Sequence, residues 1–139
     1  MNNNSELDRI AHEQEIEVLY LPCERCGSIS IMTDDGTCYI GIDNSREMTE
    51  QELIVHKAHE LGHCVTGSFY NRYSKFDIIS KHEYRADKWA IKKLVPKDEL
   101  VSVMKKGTQE IWLLAEKFNV TESFMIKACE MYGFYHRAG

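Results

Sequence analysis

Apolar residues recur at helical spacing through Leu53, Ile54, Ala58, Leu61 and Val65, with polar residues between them. That period predicts an amphipathic helix. Thr49 followed three residues later by Glu52 is a capping-box signal at its start, and Gly67 supplies a stop. A second apolar stripe, Tyr84, Ala86, Trp89, Ala90 and Leu94, predicts another helix that Pro96 ends. Before these helices the pattern is mixed. Leu7 to Gln14 reads as a helix. Ile16, Val18 and Tyr20 alternate with Glu17 and Leu19 as a short strand. Ile29 to Met32 and Cys38 to Ile42 flank Thr33-Asp34-Asp35-Gly36-Thr37, where Asp-Gly signals a hairpin. After Pro96, Lys97 starts a helix that Gly107 breaks. Gln109 to Phe118 and Thr121 to Tyr132 follow as two short helices. The predicted class is α+β, a small antiparallel sheet packed on a helical core. With 139 residues the expectation is one domain. Residues 1–48 form its helix and sheet, 49–96 its two central helices and 97–139 its terminal helices.

The first central helix carries His59-Glu60-Leu61-Gly62-His63, the pattern H-E-x-x-H. Two histidines four residues apart share one helix face, about one turn from each other. Both rings can therefore reach one metal ion. Glu60 projects beside that face, where a carboxylate can take a proton from an attacking water. The competing reading is a solvated helix face. The cap and the apolar stripe place the pattern inside a real helix and favour the metal site.

Such a site needs a third protein ligand. Twenty residues on, Glu83 and Asp87 stand one turn apart on the second helix. Glu83 is a candidate ligand. Asp87 is a candidate acceptor for the free ring N–H of a ligating histidine, which fixes the tautomer. Ser80 and Glu83 also make a capping-box pair, a role that competes for the same carboxylate. His82 is an alternative ligand, but adjacent helix residues point about 100° apart, so His82 and Glu83 do not both face one ion.

Ala58-His59-Glu60-Leu61-Gly62-His63, then Glu83-x-x-Ala86-Asp87-x-x-Ala90-x-x-x-Leu94-Val95-Pro96, resembles the ImmA/IrrE family of metallo-endopeptidases. That family pairs an A-H-E-L-G-H helix with an E-x-x-A-[ND]-x-[FW]-A-x-x-L-[LMV]-P helix. Here Trp89 stands at the aromatic position and Asp87 at the Asn/Asp position. The resemblance spans about Glu15 to Tyr132 and is strongest in these two helices. It implies a zincin-like core of the glutamate-zincin type. It implies one Zn2+ held by His59, His63 and Glu83, Glu60 as general base, and Asp87 behind the ligands. It also implies a protein substrate, a helix-turn-helix repressor of a mobile element or prophage, cleaved to relieve repression.

Other features bear on this site. In zincin-like architectures an exposed strand flanks the cleft and pairs with substrate. Cys38 to Ile42 is the candidate strand, against an ordinary structural role. Between the motif helices lies Ser68-Phe69-Tyr70-Asn71-Arg72-Tyr73-Ser74-Lys75-Phe76. A tetrahedral intermediate needs a donor opposite the base. Tyr70, Tyr73 and His82 are eligible, and the residues alone do not choose among them. His56, one turn before His59, is placed to line the cleft, but a partly exposed helix histidine is the favoured reading. Cys23-Glu24-Arg25-Cys26 resembles half of a zinc knuckle, but no second C-x-x-C exists, so a turn between strands is the favoured reading. Five cysteines, an odd number, are expected as free thiols in a reducing compartment.

No apolar run approaches membrane-spanning length, and the N-terminus lacks a basic-then-apolar signal pattern. A cytoplasmic protein with no membrane partner is expected. Residues 114–123 look like a helix-turn-helix, which raises the alternative of a DNA-binding regulator. Charge opposes it. From residue 97 onward six Lys and Arg balance six Asp and Glu, and the whole chain carries −5. Phosphate contact needs a basic face. The element therefore reads as structural or protein-binding, with no nucleic-acid partner expected. A further alternative is a repressor-binding or toxin–antitoxin-type module that does not cleave.

Overall fold

A computed structural model describes residues 3–22, 27–45, 47–71 and 73–134. Among them are six helices and one three-stranded sheet. Helix α1 spans Asn3–Glu13 and buries Leu7, Ile10 and Ala11. Strands β1 (Glu17–Leu21), β2 (Ser28–Met32) and β3 (Cys38–Asp43) follow. The two central helices are α2 (Glu50–Thr66) and α3 (Phe76–Leu94). Helices α4 (Lys97–Lys105), α5 (Ile111–Phe118) and α6 (Glu122–Met131) complete the order. The fold is α+β, as expected.

The sheet is mixed rather than antiparallel, in the order β1-β3-β2. β1 runs parallel to β3, from Glu17 opposite Tyr39 to Leu21 opposite Asp43. β2 runs antiparallel to β3, from Ser28 opposite Ile42 to Met32 opposite Cys38. The hairpin between β2 and β3 forms at the expected place. Thr33 and Thr37 close it, and Gly36 takes a φ of 87°, which glycine adopts without cost. β2 lies on the far side of β3 from β1. The chain leaving β1 thus returns beside it only as β3, running in the same direction. This placement also corrects the expected edge strand: Cys38 to Ile42 is central, and Ile40 and Ile42 are buried. Among the described residues the free edge nearest α2 belongs to β2.

α2 is the axis of the molecule. It packs along α3 and against β2, β3 and α1. Its predicted ends hold: the Thr49 side chain accepts from the Glu52 N–H, and Gly67 closes the helix at φ 67°. The core gathers Leu7, Ile40, Ile42, Ile54, Leu61 and Ile91, then Leu114 and Met125 from the terminal helices. Lys57 is fully buried on α2, and its ammonium donates to Asp8 at 2.8 Å and Asn4 at 2.7 Å on α1. A buried charge needs such partners.

Two further expectations change. α3 begins at Phe76, not at Ser80; Lys75 takes the N-cap position without a side-chain bond. Asp77 in the first turn complements the helix dipole instead. Ser80 therefore caps nothing, and Glu83 is released from the competing capping-box role. The cysteines are not all free: Cys38 and Cys64 form a disulfide, with Cα atoms 6.1 Å apart. Packing β3 against α2 brings the two within bridging range. Cys129 is a buried free thiol. Cys23 and Cys26 lie outside the described residues. Among those residues, no helix is long and apolar enough to cross a membrane.

Candidate metal centre

One residue sets the distance between α2 and α3. A Cβ built on Gly62 would stand 2.5 Å from the carbonyl oxygen of Ala86 and 3.0 Å from its Cα. Only glycine permits backbones this close. Ala86 and Ala90, both fully buried, keep the α3 side of the contact small. Across this seam Glu83 reaches the two histidines of α2.

The donor atoms converge. Glu83 Oε2 lies 2.7 Å from His59 Nε2 and 3.5 Å from His63 Nε2. The two Nε2 atoms stand 3.2 Å apart. Donors bound at ~2.0–2.1 Å by one tetrahedral ion are about 3.3 Å from each other. His59, His63 and Glu83 thus form a group that can hold a metal ion. The rear of each ring is also fixed. His59 Nδ1–H donates to Asp87 Oδ1 at 2.8 Å, and His63 Nδ1–H donates to the Ser68 carbonyl. Both rings therefore present Nε2 to the common point, the tautomer that ligation requires. Glu83, the expected third ligand, belongs to this group, and Asp87 accepts from the His59 ring.

Charge also binds the side chains of the cluster to one another. Burial alone would lower the His59 pKa, but hydrogen bonds to Asp87 and Glu83 outweigh it and push the ring up to about 10. His59 first, then His63, hold the Glu83 carboxyl well below the usual carboxylate range. Burial would raise Asp87, yet His59 and Lys127 keep it low. Lys127 of α6 donates to Asp87 Oδ2 at 3.2 Å.

A cavity of about 730 Å³ opens over the cluster. Ser28, Ile29 and Ser30 of β2 form one wall, with His56 and Glu60 of α2 beside them. Phe124 and Lys127 place α6 in another wall. Glu60 is buried next to the ligands, and its Oε2 accepts from the Ser28 hydroxyl at 2.7 Å. That hydroxyl also lies 2.8 Å from His56 Nδ1. Ser28 was not singled out from the sequence, and His56, read there as a partly exposed helix histidine over a place in the cleft, lines the cavity. A lone serine at a strand start carries no pattern, and His56 had only its one-turn spacing to His59.

The structure separates the three candidate donors. The Tyr70 hydroxyl donates to Glu83 Oε1, and Tyr70 lines the cavity. Burial first, then the Glu83 charge, push that hydroxyl up to about 12. Tyr73 is 81% exposed and does not line the cavity. His82 stacks behind Tyr70 at 6.3 Å between ring centroids and does not line the cavity either. Its buried Nδ1 has no hydrogen-bond partner among the described residues.

No protein-family model matches the sequence, and a search of curated proteins returns no match.

Proposed function

We propose that this chain is a zinc-dependent, site-specific endopeptidase of the ImmA/IrrE kind, acting in the cytoplasm on a helix-turn-helix repressor. The convergence of His59, His63 and Glu83 on one point, with Glu60 beside it in an open cleft, carries the reading. When bound, zinc supplies a Lewis acid that brings the pKa of a coordinated water toward neutrality and polarises a carbonyl. Glu60 takes the proton of the attacking water and passes it to the leaving amine. Tyr70 stands ready to donate to the developing oxyanion once its hydroxyl leaves Glu83. Asp87 holds the His59 tautomer throughout.

The cleft also suits an extended peptide. The outer edge of β2 is unpaired among the described residues, and its first three residues line the cavity. A substrate strand can add there through main-chain hydrogen bonds. The wall formed by α6 supports a structural role for the terminal helices over DNA recognition. The substrate class itself rests on the family resemblance of the two motif helices.

Glu60→Gln tests the catalytic claim. The variant keeps zinc, and cleavage of a helix-turn-helix repressor falls by about 10²–10⁴-fold, as for loss of a general base. A wild-type protein that binds zinc and leaves every candidate repressor intact by mass spectrometry would sink the proposal in favour of a non-cleaving repressor-binding module.

A further inference from the structure

Ser28 sits at the head of β2 opposite Ile42, whose side chain is buried in the core. Directly paired residues share a sheet face, so Ser28 also points inward. It is only 7% exposed. Its Oγ meets two side chains of α2, Glu60 Oε2 at 2.7 Å and His56 Nδ1 at 2.8 Å. A carboxylate only accepts, so the single hydroxyl proton goes to Glu60. The hydroxyl oxygen must then accept from His56, and His56 must carry its proton on Nδ1. The bonds run in one direction, from His56 through Ser28 to Glu60.

We propose that Ser28 is a positioning residue for Glu60, with His56 orienting the serine hydroxyl. The inference rests on Glu60 being the base of the peptidase reading. A glutamate has three rotatable side-chain bonds, and an ångström of misplacement at a reacting group costs on the order of 10²-fold in rate. Glu60 shares α2 with two ligands, but its helix position does not fix its carboxylate. The bond from β2 does. The strand that lines the cleft therefore also sets the base.

The test uses the full chain loaded with zinc and labelled with ¹⁵N in its histidines, the His56 signals being identified by their loss in His56→Gln. In the wild type His56 reads as the Nδ1–H form. In Ser28→Ala it moves toward the Nε2–H form that predominates in water, and in Ser28→Thr, which keeps the hydroxyl, it stays. In repressor cleavage Ser28→Ala lowers kcat by about 10–100-fold. KM and zinc affinity stay at wild-type values, and Ser28→Thr recovers most of the rate. A wild-type His56 protonated on Nε2 alone overturns the proposal, because the hydroxyl would then donate to His56 and not to Glu60. An unchanged kcat in a folded Ser28→Ala variant overturns it as well. A wild type that cleaves nothing overturns the peptidase reading, and the histidine spectrum still decides whether Ser28 holds Glu60.

Discussion

Asp87 and Glu83 bracket His59: Asp87 Oδ1 lies 2.8 Å from Nδ1, and Glu83 Oε2 lies 2.7 Å from Nε2. The first contact orients the ring, and the second places Glu83 and His59 where both could bind one ion. Asp87→Ala removes the orienting acceptor and leaves all three ligands in place. Metal affinity falls by about 10–100-fold, the usual cost of losing such a partner. Competition with a chromophoric chelator measures it. An affinity equal to the wild type would show that Asp87 does not support the ligand.

The same bracketing couples metal binding to pH. In the metal-free protein Asp87 and Glu83 overcome burial and hold the His59 pKa at about 10, so the ring is a cation at neutral pH. A ligating histidine must be neutral at Nε2, so binding expels a proton. Apparent metal affinity should therefore rise about tenfold per pH unit from pH 7 toward that pKa. Calorimetry in buffers of different ionisation enthalpy should count about one proton released. No release would contradict a protonated His59. The stability of the metal-free protein follows the opposite sign. The His59 contribution is complete below the ordinary value of 6.5 and is lost as pH rises through about 10. The depressed Glu83 contributes above its ordinary value of 4.5, and that is lost as pH falls. Metal-free melting temperatures should accordingly be highest between those two ordinary values.

Gly62 shows how closely two helices must meet to build this centre. In Gly62→Ala the new methyl would lie 2.5 Å from the Ala86 carbonyl oxygen, which is backbone and cannot rotate away. The helices must separate, and Glu83 retreats with α3. Overpacking of this kind costs about 1–3 kcal/mol. Thermal melting should show the loss, and zinc titration should show weaker binding. A variant with wild-type melting and wild-type affinity would mean the seam does not set the site.

The sequence disclosed α2 and its chemistry because every signal there is local. Thr49, Gly67 and the four-residue spacing of His59 and His63 all act within one helix. Glu83 and Asp87 were legible for the same reason, as acids one turn apart on the next helix. What local pattern could not show was pairing between distant segments. β1 and β3 share no spacing rule, so their parallel alignment and the central place of β3 came only from the fold. The start of α3 was not legible, because Lys75 gives no capping signal while Ser80, the competing cap, lies inside the helix. Tyr70 and Tyr73 are alike in sequence, and only the loop path puts one in the cleft and the other in solvent.

The Cys38–Cys64 disulfide joins β3 to α2 one residue beyond the candidate ligand His63. It closes a loop over a sequence separation of 26 residues. Cross-linking a loop of that length removes unfolded-state entropy equivalent to about 3 kcal/mol. Reduction, or the pair Cys38→Ala with Cys64→Ala, should lower unfolding stability by about that amount. Urea denaturation with and without a phosphine reductant measures it, and no change would show that the bridge adds nothing to folding. The compartment enters here too. A cytoplasm keeps thiols reduced, whereas the bridge belongs to an oxidising environment. Rapid alkylation of the protein in cells, followed by mass measurement, separates the two states. If both thiols are captured, the protein works in its reduced form, and the proposed zinc site must form without the bridge. Since α2 already packs on α3 through Gly62 and caps itself at Thr49 and Gly67, the reduced protein should keep its metal affinity while losing stability. A parallel loss of both would mean that the bridge, rather than helix packing, holds His63 in place.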